Sequence, residues 1–212
     1  MKKISVMLVD DHAVVRMGFK LLLQSSDDIE VLGEAQSGED ALKQLQTLAP
    51  DVLIMDISMP GMGGLETIGR VLAKYPQQRI LVLSAHEDIM HARRVLKAGA
   101  SGYVTKRSAA DVLMQAVRAV HKGQVYLEPE IAQAMAVEQV SGSKNPLDAL
   151  SEKEFKVFLE LAKGRSVQEI ADAMSLSPRT IGTHLYNIKQ KLNASNSAEL
   201  AIIAIRAGLI NP

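Results

Sequence analysis

The hydrophobic pattern of the chain changes character near residue 122. Before that point, short apolar runs alternate with longer stretches whose apolar positions recur at helical spacing. The short runs predict β-strands at Ile4–Val9, Glu30–Ala35, Val52–Met55, Ile80–Leu83 and Gly102–Thr105. The longer stretches predict helices near residues 13–24, 38–48, 65–74, 87–97 and 108–121. Because the strands are almost wholly apolar and each is followed by a helix, the pattern predicts a parallel sheet covered by helices on both faces.

The pattern loosens between residues 124 and 148 and then becomes helical throughout. Pro129–Val140 could form a short helix, and Ser141–Pro146 has the composition of a flexible linker. The remaining residues predict four short helices, too few for a large core but enough for a small bundle. Their N-terminal caps are predicted at Ser151, Ser166 and Ser177. We therefore predict an α/β domain at 1–122, a linker with a short helix at 123–148, and an all-α four-helix domain at 149–212.

The composition narrows the class of protein without naming one. The 212 residues contain 24 Lys and Arg, 24 Asp and Glu, and no Cys. This excludes a disulfide framework, a thiolate metal site and a strongly basic coat, although a zero sum can hide local patches. The longest uninterrupted apolar run, Leu200–Ile205, is far shorter than the roughly 18 residues of a membrane span. We expect a cytoplasmic protein with no signal peptide and no membrane partner.

Polar side chains follow the predicted strands at their carboxyl ends. Asp10 and Asp11 follow the first strand, Asp56 the third, Ser84 the fourth and Lys106 the fifth. Because the carboxyl ends of parallel strands meet at one edge of a sheet, these side chains should share one crevice. Clustered carboxylates are hard oxygen ligands that suit Mg²⁺, and the ammonium and hydroxyl can bind phosphoryl oxygens. The alternative for each acid taken singly is a helix cap or a solvated loop residue.

The helical half contains a segment with helix-turn-helix proportions, in which Val167–Met174 is followed by a short break and then by Ser177–Leu192. One stripe of the second helix is apolar and consists of Ile181, Leu185, Ile188 and Leu192. The opposite face is rich in hydrogen-bond donors, which suits a DNA major groove, and residues 173–198 contain no Asp or Glu. The alternative is the solvated face of a structural bundle.

Four motifs of the first half resemble the receiver domain of two-component response regulators. They are Val9–His12, Met55–Gly61, Leu83–Ala85 and Gly102–Lys106. The resemblance implies a flavodoxin-like (βα)5 fold and phosphorylation of Asp56 by a histidine kinase. It also implies a Mg²⁺ site and a phosphoryl-binding switch. The implied residues are Asp10, Asp11, Asp56 and the backbone carbonyl of Ser58 for the metal, and Ser84, Tyr103 and Lys106 for the switch.

Three motifs of the second half look like the LuxR-type helix-turn-helix: Leu150–Glu154, Gly164–Ala171 and Ser177–His184. With the receiver-like half in front, the whole chain resembles the NarL/FixJ family of transcriptional response regulators. Gly182 departs from the family pattern, in which Lys is common, so the long side-chain donor of the usual base contact is missing here. Taking the polar face and the resemblance together, the predicted DNA contacts are Arg179, Thr180, Gly182, Thr183, His184, Tyr186, Asn187, Lys189 and Lys191.

The resemblance implies a DNA-binding transcription regulator and not an enzyme. Phosphorylation is expected to release the helical domain from the receiver and to promote dimerisation on promoter DNA. The expected partners are a histidine kinase, double-stranded promoter DNA and a second copy of the chain, with RNA polymerase a further candidate. Two alternatives stay open: a Mg²⁺-dependent phosphohydrolase with Asp56 as a transient nucleophile, and a protein-interaction module that binds no DNA.

Two other features predict no site. The glycines of Gly61–Gly64 match neither the dinucleotide fingerprint nor the P-loop spacing, so a turn is expected there. His12, His86 and His91 show no metal-ligand spacing and are expected to be scattered surface residues.

Overall fold

The apolar runs of the first half pair as neighbouring strands of one parallel sheet. The computed structural model describes residues 2–108, 110–141 and 146–210. Its strands are β1 Ile4–Val9, β2 Ile29–Ala35, β3 Val52–Asp56, β4 Arg79–Ser84, β5 Gly102–Thr105 and β6 Tyr126–Leu127. The order across the sheet is β2-β1-β3-β4-β5-β6, and every neighbouring pair is parallel. The order reverses at β1 and β3, where a doubly wound sheet opens its ligand crevice.

Five helices cover the two faces of this sheet: α1 Ala13–Gln24, α2 Gly38–Gln44, α3 Gly64–Lys74, α4 Ile89–Lys97 and α5 Ala110–His121. Alternate residues of a strand point to opposite faces. Val6 accordingly belongs to one apolar core and Met7 to another. The predicted α/β class with a flavodoxin-like sheet is confirmed. Helix α2 ends four residues earlier than predicted, because Gln46 and Thr47 donate to carbonyls three residues back, in tighter turns.

The segment predicted as a linker adds a strand and a helix to the first unit. Strand β6 pairs with β5 in the register Gly102 to Tyr126 and Tyr103 to Leu127. Helix α6 then spans Pro129–Ser141, and its Ile131 is buried in the core that contains Tyr103. The chain forms two compact units, Met1–Val140 and Ser141–Pro212. Most of the predicted flexible stretch, at 142–145, lies outside the described residues.

The second unit is the predicted all-α four-helix domain. A 3-10 helix at Pro146–Ala149 precedes α7 Glu152–Ala162, α8 Val167–Met174, α9 Pro178–Leu192 and α10 Ser197–Arg206. The three predicted caps are present: Ser151, Ser166 and Ser177 each accept a hydrogen bond from the amide three residues on. Such caps satisfy amides that have no partner in the first turn of a helix. Across the described residues, every helix is too short or too polar to cross a membrane.

An ion pair between a buried carboxylate and a partly exposed ammonium joins the first and third helices of this unit. Glu154, 4% exposed, accepts from the backbone amide of Ser151 at 2.8 Å and from Nζ of Lys191 at 2.6 Å. Burial opposes ionisation of this carboxyl, but Lys191 and Ser151 outweigh it and lower the pKa of Glu154. Lys191 therefore has a structural partner inside its own domain.

Gly182 and Gly64 differ in the space around them, so substitutions at these two glycines test the packing of the two units. Gly182 is exposed on α9, and a Cβ there would meet nothing within 4 Å. Replacing Gly182 with Ala should stabilise the helical unit by about 0.5–1 kcal/mol, because Gly costs that much inside a helix. A Cβ on Gly64 would lie 2.4 Å from Cα of Ile57, so Gly64→Ala should destabilise the first unit by about 1–3 kcal/mol. Urea denaturation followed in each unit measures both changes; equal effects would contradict the structure.

Candidate functional site

The carboxylates predicted to converge do so at the ends of β1 and β3. Val9 is paired with Met55, so the following residues, Asp10 and Asp56, emerge side by side. Asp10 is 6% exposed and Asp56 2% exposed. Each of Asp10, Asp11, Asp56 and His12 offers a ligand atom, and these atoms lie within 4.8 Å of one another. The sheet topology thus forces negative charges into a small, largely buried volume.

Lys106 provides the positive charge between the two buried carboxylates. Its Nζ lies 2.6 Å from Oδ2 of Asp10 and 2.8 Å from Oδ2 of Asp56. The backbone amide of Lys106 donates to the carbonyl of Ser84 at 2.7 Å, which fixes the start of the loop after β5. Burial disfavours the ammonium, but the two carboxylates outweigh it and raise the pKa of Lys106. The side chain therefore stays charged at neutral pH.

The remaining oxygen atoms of the pocket suit a hard divalent cation. Oδ1 of Asp11 is buried without a hydrogen bond within the described residues, although Nδ1 of His12 lies 3.1 Å away. Such an orphaned carboxylate oxygen is a natural cation ligand, and an all-oxygen donor set favours Mg²⁺. The amide of Ser58 donates to Oδ1 of Asp56 at 3.0 Å. Coordination by the Ser58 carbonyl stays a prediction.

One contributor to this pocket is absent from the sequence-based set of site residues. The guanidinium of Arg16, on α1, donates to the backbone carbonyl of Asp10 at 2.6 Å and pairs with Glu34 at 3.3 Å. It therefore holds the strand end in place without touching the carboxylates of Asp10 or Asp56. No local pattern marks it, since an Arg on an amphipathic helix is ordinarily a solvated residue.

Ser84 and Tyr103, the predicted switch pair, are both fully buried. The hydroxyl of Ser84 accepts a hydrogen bond from the amide of His86 at 3.0 Å. The hydroxyl of Tyr103 donates to the carbonyl of His86 at 2.7 Å. Burial raises the pKa of Tyr103, so its phenol stays protonated and remains a donor. One residue of the loop after β4 is thus bonded to both members of the pair.

The loop that carries Lys106 is also bonded to the residue that joins β6 to α6. Glu128, directly before α6, accepts from the backbone amide of Thr105 and from the hydroxyl of Ser108, the latter at 2.6 Å. The residues on both sides of Lys106 therefore share one carboxylate partner. This contact was missed by sequence reasoning, because it joins positions 20 or more apart through the pairing of β5 with β6.

Helix α9 presents its predicted polar face to solvent while its apolar stripe is packed inside. Ile181 and Ile188 are fully buried, whereas Tyr186 is 64% exposed. Arg179, Gly182 and Thr183 are also exposed, and Thr180, His184, Asn187 and Lys189 are half-buried. Nζ of Lys189 donates to the carbonyl of Ser195 at 3.1 Å, and Lys191 is the partner of Glu154 described above. The side chains of Lys189 and Lys191 are thus held by hydrogen bonds within their own domain.

The glycine-rich segment and the histidines have different outcomes. Gly61 and Gly63 have φ values of 76° and 74°, which only glycine adopts readily, so this segment is a tight turn before α3, as predicted. The expectation that the histidines are scattered surface residues is wrong for His86 and His91, whose partly buried rings stack on each other. The loop geometry after β4, which is invisible in the spacing, brings these two residues together. His12 is exposed, as expected, and its ring lies beside the carboxylates of the acidic pocket.

Comparison with known families adds an independent line of argument. Residues 6–118 match the family model described as response regulator receiver domain. Residues 148–204 match the model described as bacterial regulatory proteins, luxR family. These two matches cover the acidic pocket and helix α9, respectively.

Relatives and solved structures agree over nearly the whole chain. The response regulator GacA of Pseudomonas syringae is 40% identical over 210 residues, 98% of each chain. The response regulator UvrY of Escherichia coli is 41% identical and covers 98% of this chain and 96% of its own. RcsB of Salmonella enterica serovar Typhimurium, solved bound to the promoter rprA in the presence of phosphomimetic BeF3-, has 28% identity and a TM-score of 0.65. The match covers 95% of this chain and 98% of RcsB.

Another RcsB structure from Salmonella typhimurium aligns with a TM-score of 0.72 at 28% identity, covering 98% of this chain and 99% of that one. The acidic pocket, the helix-turn-helix and the relatives that match over the full length all indicate the same family. The chain belongs to the NarL/FixJ family of two-component response regulators, which are DNA-binding transcription regulators and not enzymes.

Proposed function

We propose that this response regulator is switched by phosphorylation of Asp56, which a histidine kinase supplies, and that the switched form dimerises on promoter DNA. The observation that carries the proposal is the position of Asp56. It is a buried carboxylate at a strand end, bonded to Lys106 and adjacent to Asp10. A phosphoryl group and a metal ion would change the charges in this pocket and so the bonds that Lys106 makes.

The chemistry begins with Asp56 as nucleophile. A carboxylate oxygen attacks the phosphorus of a phosphohistidine, the P–N bond breaks, and its electron pair returns to the leaving imidazole. Asp10, Asp11, Asp56 and the Ser58 carbonyl are the residues that would hold Mg²⁺. The ion, when bound, neutralises negative charge on the transferring group. The product is an aspartyl phosphate at the end of β3.

Lys106 and Ser84 are placed to respond to that product. Lys106 bonds to Asp56 before transfer, and the phosphoryl oxygens offer it a more highly charged partner afterwards. The Ser84 hydroxyl accepts from the amide of His86, and it can donate its own hydrogen to a phosphoryl oxygen. Since Tyr103 donates to the carbonyl of the same residue, movement of this loop changes the surroundings of both switch residues.

Glu128 connects the loop that carries Lys106 to the start of α6 through two hydrogen bonds. Thr105 and Ser108 flank Lys106, and both bind the carboxylate of Glu128, which precedes α6. A shift of Lys106 toward a phosphoryl group would strain or release these two bonds. We propose that this exchange alters the docking of α6 and so frees the helical domain to dimerise.

The output is DNA recognition by α9. Its exposed face carries the donors expected for a major groove, and residues 173–198 contain no acid that would repel phosphates. RcsB, a relative at 26–28% identity, has been solved bound to DNA, including as two dimers on two parallel DNAs. These complexes support the proposal of a DNA-bound dimer for this chain.

Phosphoacceptor identity is tested by replacing Asp56 with Ala. The variant should take up no label from a small-molecule phosphodonor with Mg²⁺, because the other carboxylates of the pocket, Asp10 and Asp11, are assigned to the metal. Asp27→Ala, which removes an exposed carboxylate of the same unit, should label like the wild-type chain. Label retained by Asp56→Ala would assign the acceptor elsewhere. Continuous release of phosphate over many cycles would favour the phosphohydrolase alternative.

Coupling through Glu128 is tested by replacing it with Gln, which keeps the size but removes the charge. We expect Asp56 to be labelled normally, while the gain in DNA affinity on phosphorylation falls by several-fold. Glu130→Gln, an exposed neighbour, should leave that gain unchanged. A Glu128→Gln variant that keeps the full gain would show that the signal takes another route.

DNA recognition is tested by the salt dependence of binding. Lys189→Ala should make the slope of log K against log salt less steep by about 1, as expected for loss of one phosphate contact. Tyr186→Ala should weaken binding to a selected operator more than binding to random DNA, since it faces the bases. Lys163→Ala, which removes an equal charge from the C-terminal cap of α7, serves as control. If no salt-dependent DNA binding occurs with or without phosphate, the protein-interaction alternative is favoured.

A further inference from the structure

A second cluster of metal-ligating side chains lies in the loop between β4 and α4. His86, Asp88 and His91 each offer one ligand atom, and these three atoms lie within 4.8 Å of one another. His86 follows the end of β4 by two residues, Asp88 caps α4, and His91 lies in its first turn. The phosphoryl chemistry proposed above uses none of these three side chains.

The cluster is sheltered and contains both nitrogen and oxygen donors. The side chains of His91 and Asp88 are 11% and 24% exposed. Nδ1 of His91 lies 2.8 Å from Oδ2 and 2.9 Å from Oδ1 of Asp88. Oδ1 of Asp88 also accepts the backbone amide of His91 at 3.0 Å, which is the helix cap. The cap therefore occupies Oδ1, and Oδ2 can serve a ligand without loss of the cap.

The two imidazole rings lie face to face. Their centroids are 3.9 Å apart, and their planes differ by 1°. The stacking keeps the ring nitrogens of the two histidines close to each other and to the carboxylate of Asp88. A neutral imidazole keeps a lone pair on one nitrogen, which is the form that binds metals.

We propose that His86, Asp88 and His91 form a site for a borderline divalent transition metal, with Zn²⁺ as the probe of choice. Two imidazoles and one carboxylate are a ligand set that Zn²⁺ accepts, with a fourth position left for water or another donor. Mg²⁺ prefers oxygen ligands and belongs to the acidic pocket instead. The three ligand atoms already lie within 4.8 Å of one another, and convergence on one ion would change the side-chain torsions of the stacked rings.

The site lies against the switch pair. The backbone of His86 donates to Ser84 and accepts from Tyr103. An ion that ties His86 to α4 would hold the loop in the conformation seen here. Metal binding would therefore add a second input to the same loop, independent of the phosphodonor.

The test is a Zn²⁺ titration of the full chain against a chromogenic chelator, in excess Mg²⁺ that saturates the acidic pocket. We expect one site per chain, and Co²⁺ in its place should give the visible absorption bands of a low-coordinate nitrogen-ligated ion. His91→Gln and His86→Gln should each weaken Zn²⁺ binding by about tenfold or more. Asp88→Asn should do the same while keeping the cap, because Asn also caps helices.

Two controls separate this site from other possibilities. His121→Gln removes a histidine of α5 and should leave the affinity unchanged. Asp11→Asn weakens the acidic pocket and should also leave it unchanged. Zn²⁺ should raise the thermal unfolding midpoint of the wild-type chain but not that of Asp88→Asn. The unfolding transition of Asp88→Asn without metal shows whether that variant is folded. Unchanged Zn²⁺ affinity in the His86, Asp88 and His91 variants, or its loss in Asp11→Asn, would overturn the proposal.

Discussion

The ammonium of Lys106 between the carboxylates of Asp10 and Asp56 is the interaction on which the rest of the first unit depends. It joins the ends of β1, β3 and β5 with bonds of 2.6 and 2.8 Å in a largely buried place. Without this charge, two buried carboxylates would face each other at close range, which is costly unless a cation intervenes. The pocket is thus held by a balance of charge that a phosphoryl group and a metal ion are able to change.

Two loops connect the pocket around Lys106 to other parts of the first unit. The loop after β5 carries Lys106 and binds Glu128, and the loop after β4 binds both Ser84 and Tyr103 through His86. Each loop is hydrogen-bonded to residues of the pocket, and we propose that a small displacement at Asp56 reaches both loops. The proposed metal site adds a restraint on the second loop, whereas the proposed linker contact is a restraint on the first.

Those parts of the fold and site that depend on local pattern were predictable from the sequence. Apolar runs placed the five main strands, and the topology of a parallel sheet brought Asp10, Asp56 and Lys106 together. The helix caps at Ser151, Ser166 and Ser177 followed from residue type and position. In each case a short-range rule, or one rule about strand ends, carries the information.

Those parts that depend on tertiary contact were not predictable. Strand β6 has only two residues and pairs because α6 buries Ile131 behind it, which no periodicity reveals. The bond of Lys191 to Glu154 links positions 37 apart. The stacking of His86 on His91 depends on how one loop turns. Long-range contacts of this kind change the role of a residue without changing the pattern around it.

The most direct test of the account compares the DNA affinity of the wild-type chain and of Asp56→Asn, each with and without a phosphodonor and Mg²⁺. The operator can be selected from random sequence by the phosphorylated chain, and fluorescence anisotropy at fixed salt gives the affinity. The account predicts a phosphodonor-dependent increase in affinity for the wild-type chain and none for Asp56→Asn. An equal increase in both proteins, or none in either, would contradict it.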